Sequence, residues 1–422
     1  MFDRTYRQRL EADLARWEAD GVITPAVLAA IRSALPPLAP EINIPLVVAI
    51  VGGLLIAAAF LAFVAAHWTE LARLLRLAIL VVGIVGANGL GGWLARAGRS
   101  VLADLCASVG SIIFGAGIAL VGQMYHLGED FAGGMLLWAG GALITAVLTK
   151  SRGALAVALA AASVWSVMRV FDTHDVPHLP FVAFWLIAAG VAIAWNSRPA
   201  AHLVALAALA WWITAAFQLS LDNFQPSFVL ADGAALLFGG GLALAAAPWQ
   251  RALCAGAVLS TYGSFALSGA AILAVATTYD LFRIYAGTAS QPPWAISCGV
   301  AGAIFALAAA AMTRRAGVAF AASAIGLTLV AAPTWTPPQA GGPWLAYAIE
   351  LGAMLCLVVS GTIDATRPRV VAGWLGVAGV IAAITWAVKG SLLHRSAFLA
   401  VAGAFAGALA TVLKRLLPRT NE

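Results

Sequence analysis

Stretches of about twenty apolar residues recur some fourteen times along this chain, separated by short breaks, and no other feature limits the fold as much. A helix of that length crosses the roughly 30 Å hydrocarbon core of a bilayer. In water the same chain would lack the polar surface to cover its interior. Of its 422 residues 62% are hydrophobic and 10% charged, where soluble domains carry about 25% charge. The expected fold class is therefore all-α, a polytopic integral membrane helix bundle whose main partner is the lipid bilayer.

The spans are placed at 43–67, 74–95, 101–123, 131–149, 153–171, 179–196, 200–220, 228–247, 252–276, 292–312, 316–332, 344–363, 370–388 and 396–414. Arg152 and the Arg314–Arg315 pair mark firm breaks, because a charge in hydrocarbon is costly. The breaks near Pro226 and Pro333 are softer. The basic residues then test the alternation of loops. With the amino terminus inside, only Arg73, Arg76, Arg169, Arg283, Lys389 and Arg395 fall on the outer side, and the other eighteen of the 24 Lys and Arg fall inside. Positive charge collects in cytoplasmic loops. The expected location is a bacterial cytoplasmic (inner) membrane, with both termini cytoplasmic.

Residues 1–41 differ from the rest of the chain. Leu10, Leu14 and Trp17 recur at i, i+4 and i+7 among Arg, Glu and Asp, the pattern of an amphipathic helix. Gly21 ends it. Thr24 reads as an N-cap with Pro25 at the first helical position. Val27, Leu28, Ile31 and Leu35 form a second apolar stripe, which Pro36, Pro37 and Pro40 stop. The expected layout is a cytosolic helical hairpin over 1–41, a membrane bundle over 42–415 and a short cytosolic tail over 416–422. The first apolar run begins near Ile42, after a charged segment, so the first span is expected to be retained as an anchor. The hairpin offers a docking element for a protein partner.

The net charge of +6 does not point to nucleic acid, because basic residues stand singly between apolar runs and form no stripe. Cys106, Cys254, Cys298 and Cys356 all lie within apolar runs without a Cys-x-x-Cys pair, which suits small hydrophobes. No Gly-x-Ser-x-Gly, phosphate-binding loop or His-Glu-x-x-His occurs. No cofactor is expected. A faint repeat links Ser151-Arg152-x-Ala154 with Trp165 to Ser197-Arg198-x-Ala200 with Trp211.

Leu14-Ala-Arg-Trp17 followed by Gly21-Val-Ile-Thr24, then Gly122-Gln-Met-Tyr-His-Leu127 and Leu136-Leu-Trp138, resemble a family of bacterial multi-pass membrane proteins known as domain-of-unknown-function family 2157. The resemblance covers about the first 150 residues. It implies the membrane class and the hairpin-plus-helices layout, and it assigns no catalytic residue.

Polar residues inside the spans are the candidates for function. An ionisable group in hydrocarbon normally faces a partner or a wet cavity. Asp104 stands about one turn into its span and shares a face with Ser108, Ser111 and Gly115. Asp232 lies just inside its span, and Glu350 about two turns into its own. Asn88 sits among Gly83, Gly86, Gly89, Gly91 and Gly92, a run that suits close helix packing or a broken helix at a binding site. Asp104, Glu350, Asp232 and Asn88 are the residues expected to couple protons or bind solute in a carrier. Capping a helix end is the plainer role for each acid. On the outer side, His126 and Glu129 follow the third span, and His174 and His178 follow the fifth. Histidine and carboxylate together form a ligand set for a divalent metal. Three functions are compatible with these residues: a carrier or flippase-like transporter of a small solute or lipid, a scaffold or sensor acting through the hairpin, and a metal-dependent membrane enzyme with an extracytoplasmic site.

Overall fold

A computed structural model of the protein describes residues 4–34, 51–52, 55, 72–125, 130–174, 176–222, 224–278, 291–334 and 344–387. They divide between two compact units, Met1–Phe60 and Leu61–Glu422. The first carries α1 (Arg4–Ala19) and α2 (Pro25–Ala34), packed against each other. Gly21 in the turn adopts φ +71°, open to glycine at no steric cost. The Thr24 hydroxyl accepts a weak 3.5 Å hydrogen bond from the Val27 amide, at the cap the sequence indicates. Leu14 and Leu28 are buried, whereas Trp17, Val22 and Val27 are exposed.

The second unit contains twelve apolar helices among the described residues: α3 (Arg73–Arg96), α4 (Ser100–Tyr125), α5 (Phe131–Thr149), α6 (Arg152–Thr173), α7 (Leu179–Ala194), α8 (Arg198–Leu221), α9 (Pro226–Ala246), α10 (Gln250–Thr278), α11 (Pro293–Thr313), α12 (Ala316–Thr334), α13 (Trp344–Ile363) and α14 (Arg367–Ala387). Each matches one expected span. The expected first and last spans, 43–67 and 396–414, lie mostly or wholly outside the described residues. Ten of the twelve are long and apolar enough to cross a membrane, and two are shorter. Helix α7 has 16 residues, a rise of about 24 Å. That falls short of the hydrocarbon thickness, so α7 needs flanking residues to complete its crossing.

Serine caps explain the faint repeat. Ser151 accepts a hydrogen bond from the Ala154 amide at 3.0 Å, and Ser197 accepts one from Ala200 at 3.5 Å. The Ser-Arg-x-Ala motif is thus a helix start used twice, at α6 and α8. Lys150 and Arg314 take left-handed backbone conformations, φ 53° and 52°, where α5 and α11 end. Each closes one helix directly before the next begins.

Two large apolar cores, with smaller clusters between them, organise the helices. One gathers α5 to α8 around Ala139, Leu155, Ala158, Trp165 and Phe181. The other gathers α9 to α14 around Phe238, Leu267, Ile325, Met354 and Leu357. Helix α9 is central, with 67% of its span buried against 11% for α3. Close approach accounts for this. A Cβ at Gly302 of α11 would overlap the backbone of Ala235 and Leu236, and one at Gly241 of α9 would overlap Leu259 and Ser260 of α10. Small residues permit this approach, and dispersion between the backbones replaces the hydrophobic drive that lipid removes. Bonds from Trp138 Nε1 to the Ser111 carbonyl, Trp185 Nε1 to Val204, and Ser268 Oγ to Ala372, each 2.8 Å, tie further helix pairs. Large apolar side chains such as Leu74, Val82, Leu148 and Ile213 stay exposed, where lipid would cover them.

Candidate functional site

The four intramembrane candidates have different surroundings. Asp104 Oδ1 on α4 accepts hydrogen bonds from the Ser151 hydroxyl and, at 3.1 Å, from the Gly153 amide. It therefore extends the cap on α6 and favours that helix start by charge as well. The space for a Cβ on Gly153 is filled by Ser108 Oγ. Asn88 donates to its own helix at the Ile84 carbonyl, 2.9 Å, and its amide packs against Gly110 of α4. The glycine run of α3 remains one continuous helix.

Asp232 and Glu350 are placed otherwise. Asp232 is 3% exposed and Glu350 1%. Asp232 Oδ2 and Glu350 Oε2 have no hydrogen-bond partner among the described residues. The Thr328 hydroxyl of α12, which donates to the Ala324 carbonyl at 3.1 Å, lies beside the Glu350 carboxyl. Asp232 Oδ1 fills the space a Cβ on Gly299 of α11 would need, beside Leu329 of α12. Each acid stands six residues from the start of its helix, α9 or α13, so the two share a depth of about 9 Å. Gly299 stands six residues into α11, and Thr328 six residues from the end of α12. One level of the α9–α14 core thus holds both carboxyls, on either side of α12. An unmade hydrogen bond at a buried polar atom costs about 1–3 kcal/mol, and more for a charged group. Packing gives no return for that cost.

An aromatic ring packs on Gly233, the residue after Asp232: that of Trp212 on α8. Its ring centroid is 5.2 Å from Trp211 and 5.6 Å from Trp294 of α11, and Trp211 stacks on Phe181 of α7 at 6.4 Å. With Ala216, Leu219, Val229 and Ala295 these rings join the α5–α8 core to α9 and α11. Gln218, two turns beyond Trp211 on α8, is 1% exposed, and neither amide atom has a partner among the described residues. A glutamine inside an otherwise apolar span was a legible signal, yet sequence reasoning did not single it out.

The turn between α13 and α14 holds an ion pair that sequence reasoning also missed. Arg369 of α14 donates to Asp364 Oδ2 and Ser360 Oγ, both at 2.9 Å, and its guanidinium lies 5.6 Å from the centre of the Phe238 ring. Both side chains are about one-tenth exposed. The Asp364 carboxylate fills the space a Cβ on Gly317 would need, so it sits at the α12 N-terminus. From sequence, Arg369 read as a loop charge. Helix α14 begins at Arg367 instead, which brings Arg369 inside.

Of the metal-ligand candidates, His126 and Glu129 lie outside the described residues. His174 is exposed and ends α6 with φ 58°. His178 is buried, with Nδ1 3.0 Å from Ser166 Oγ and its ring edge-on to Trp165 at 4.6 Å. A cavity of about 410 Å³ beside it is lined by Arg169, Thr173 and Pro177. Among the described residues, no three His, Cys, Asp or Glu side chains gather as a metal would require.

No curated protein and no solved structure matches the chain. Residues 15–155, from α1 into the start of α6, match the family described as predicted membrane protein (DUF2157), the family that the hairpin and Gly122–Leu127 motifs resemble.

Proposed function

We propose that this protein is a carrier of a small solute or lipid in a bacterial cytoplasmic membrane, with both termini cytoplasmic, and that Asp232 and Glu350 bind the coupling proton or cation. The observation that carries this reading is the pair of buried carboxyls at one depth, each with an oxygen lacking a partner among the described residues. A bundle with only a structural task would place apolar residues there, since ionisable groups in hydrocarbon are costly and mark ion or substrate pathways. A carboxyl that exchanges a proton or cation needs a free oxygen to do so. Asp104 and Asn88 serve packing and capping in this reading. The test is solute-driven change of internal pH in proteoliposomes containing a pH-sensitive dye, over a panel of amines, amino acids and sugars. Wild type should respond to one class of solute, and Glu350→Gln and Asp232→Asn should abolish the response. Silence across the panel would refute a proton-coupled carrier of small solutes, and full response in both variants would remove Asp232 and Glu350 from coupling.

The hairpin favours a second reading, a scaffold, because it leaves Trp17, Val22 and Val27 exposed. Deleting residues 1–38 separates the two. Loss of a co-purifying protein with solute response intact would assign docking to the hairpin and transport to the bundle.

A further inference from the structure

A lipid-embedded bundle must satisfy its hydrogen bonds internally, and apart from Glu350 Oε2 and Thr366 Oγ1 the exceptions among the described residues are concentrated. Gln218 Nε2 and Oε1, Gln225 Oε1, Ser227 Oγ, Asp232 Oδ2 and Trp211 Nε1 are all buried without a partner among the described residues. Every one lies on the hairpin formed by α8 and α9, between Trp211 and Asp232. Gln218 and Ser227 are each 1% exposed. Leucine at 218 or alanine at 227 would suit the surrounding apolar cluster without leaving any group unsatisfied.

The composition of this set defines what would complete it. Acceptors predominate: two amide oxygens, a carboxylate oxygen and a hydroxyl, against the donors Gln218 Nε2, Trp211 Nε1 and the same hydroxyl. A complementary ligand brings several N–H donors. The Asp232 carboxylate asks that it bring positive charge, and the ion pairs among the described residues engage Asp13, Asp130 and Asp364 instead. The Trp211, Trp212 and Trp294 rings lie within 6.2 Å of one another, and Trp212 packs on Gly233, the residue after Asp232. Indole faces attract cations, most strongly where water is excluded. A point cation without N–H groups would leave the geometry of the amide oxygens unused. An anion would meet Asp232.

We propose that the α8–α9 hairpin, with the first turns of α11, binds a primary ammonium group, presented by a free amine or by a lipid headgroup. This names the substrate class of the carrier and rests on that reading only for the transport step. Binding itself stands or falls separately.

The test is quenching of intrinsic tryptophan fluorescence in the purified full-length protein in micelles. The probes are ethanolamine, ethylene glycol as its uncharged counterpart, and micelles doped with phosphatidylethanolamine or phosphatidylglycerol. Saturable quenching by ethanolamine but not by ethylene glycol assigns a free amine. Quenching only by phosphatidylethanolamine assigns the headgroup. Asp232→Asn and Gln218→Leu should each weaken the effective probe at least about tenfold, the size expected for a charged or multiple hydrogen bond lost. Asp130→Asn, at the α5 N-terminus, should leave it unchanged. Wild type, which needs no refolding, decides by itself whether an ammonium binds. No saturable effect from either source overturns the proposal, as does unaltered binding in Asp232→Asn that elutes as wild type. Solute-driven pH change without ammonium binding would remove this site and leave the carrier. Ammonium binding without any pH change would do the reverse.

Discussion

Removing one member of the Asp364–Arg369 pair should be worse than removing both. Their side chains are 11% and 9% exposed, and the 2.9 Å contact is shared with Ser360. Asp364→Leu leaves a guanidinium inside the bundle with only the Ser360 hydroxyl and the Phe238 ring for company. Breaking a buried pair in this way costs about 3–5 kcal/mol. Arg369→Met leaves Asp364 over Gly317, where the α12 N-terminus returns part of the loss, about 0.3–2 kcal/mol. The double variant has no orphan charge. Apolar replacement of a whole buried pair is neutral or stabilising by about 1–4 kcal/mol, offset here by the lost cation–π contact with Phe238, about 0.5–2 kcal/mol. The double variant should therefore lie between about 2 kcal/mol below wild type and about 3.5 kcal/mol above it. The four free, half-buried cysteines supply the assay, since a thiol-reactive fluorophore reports their exposure on heating. A double-mutant cycle from the midpoints gives the coupling. If the double variant is as unstable as the sum of the singles, the pair is not an isolated electrostatic unit and the reasoning fails.

Other expectations rest on the helix contacts. Asp104→Ala should lower stability by about 1–2 kcal/mol, the loss of a helix cap, while the solute response in proteoliposomes stays as in wild type. Gly302→Leu should destabilise by about 1–3 kcal/mol or more by overpacking, seen as a lowered midpoint in the same thiol assay, whereas Gly190→Ala on α7, where a Cβ meets nothing within 4 Å, should be neutral.

Helix positions were legible because transfer free energy is additive along the chain and needs no knowledge of neighbours. Arg152 and Arg314–Arg315 stop helices wherever the rest of the chain lies, and α6 and α12 begin where those charges indicate. Pro226 proved to be the first residue of α9, which its missing amide hydrogen allows. Partners were not legible. Nothing local to Asp104 announces that Ser151 and Gly153 lie against it, 47 and 49 residues away. Asp232 read as a residue near a helix end, where snorkelling is the ordinary outcome. Its burial depends on α8, α11 and α12 closing around the start of α9. The expected spans set Asp232 four residues in and Glu350 six; the start of α9 at Pro226 is what brings the two to one level, with α12 between them.

The glycine contacts of α9 also govern how this bundle can move. Where backbone rests directly on backbone, as between Gly302 and Ala235 or Gly241 and Ser260, no side chain can change rotamer to let one helix slip past the other. Helices α9, α10 and α11 must therefore travel as one rigid body. In the carrier proposed above, opening toward either face of the membrane falls to the elements held on that body by side chains. Helix α8 on one flank and α12 to α14 on the other are the parts free to rock, with α9 as the fixed axle.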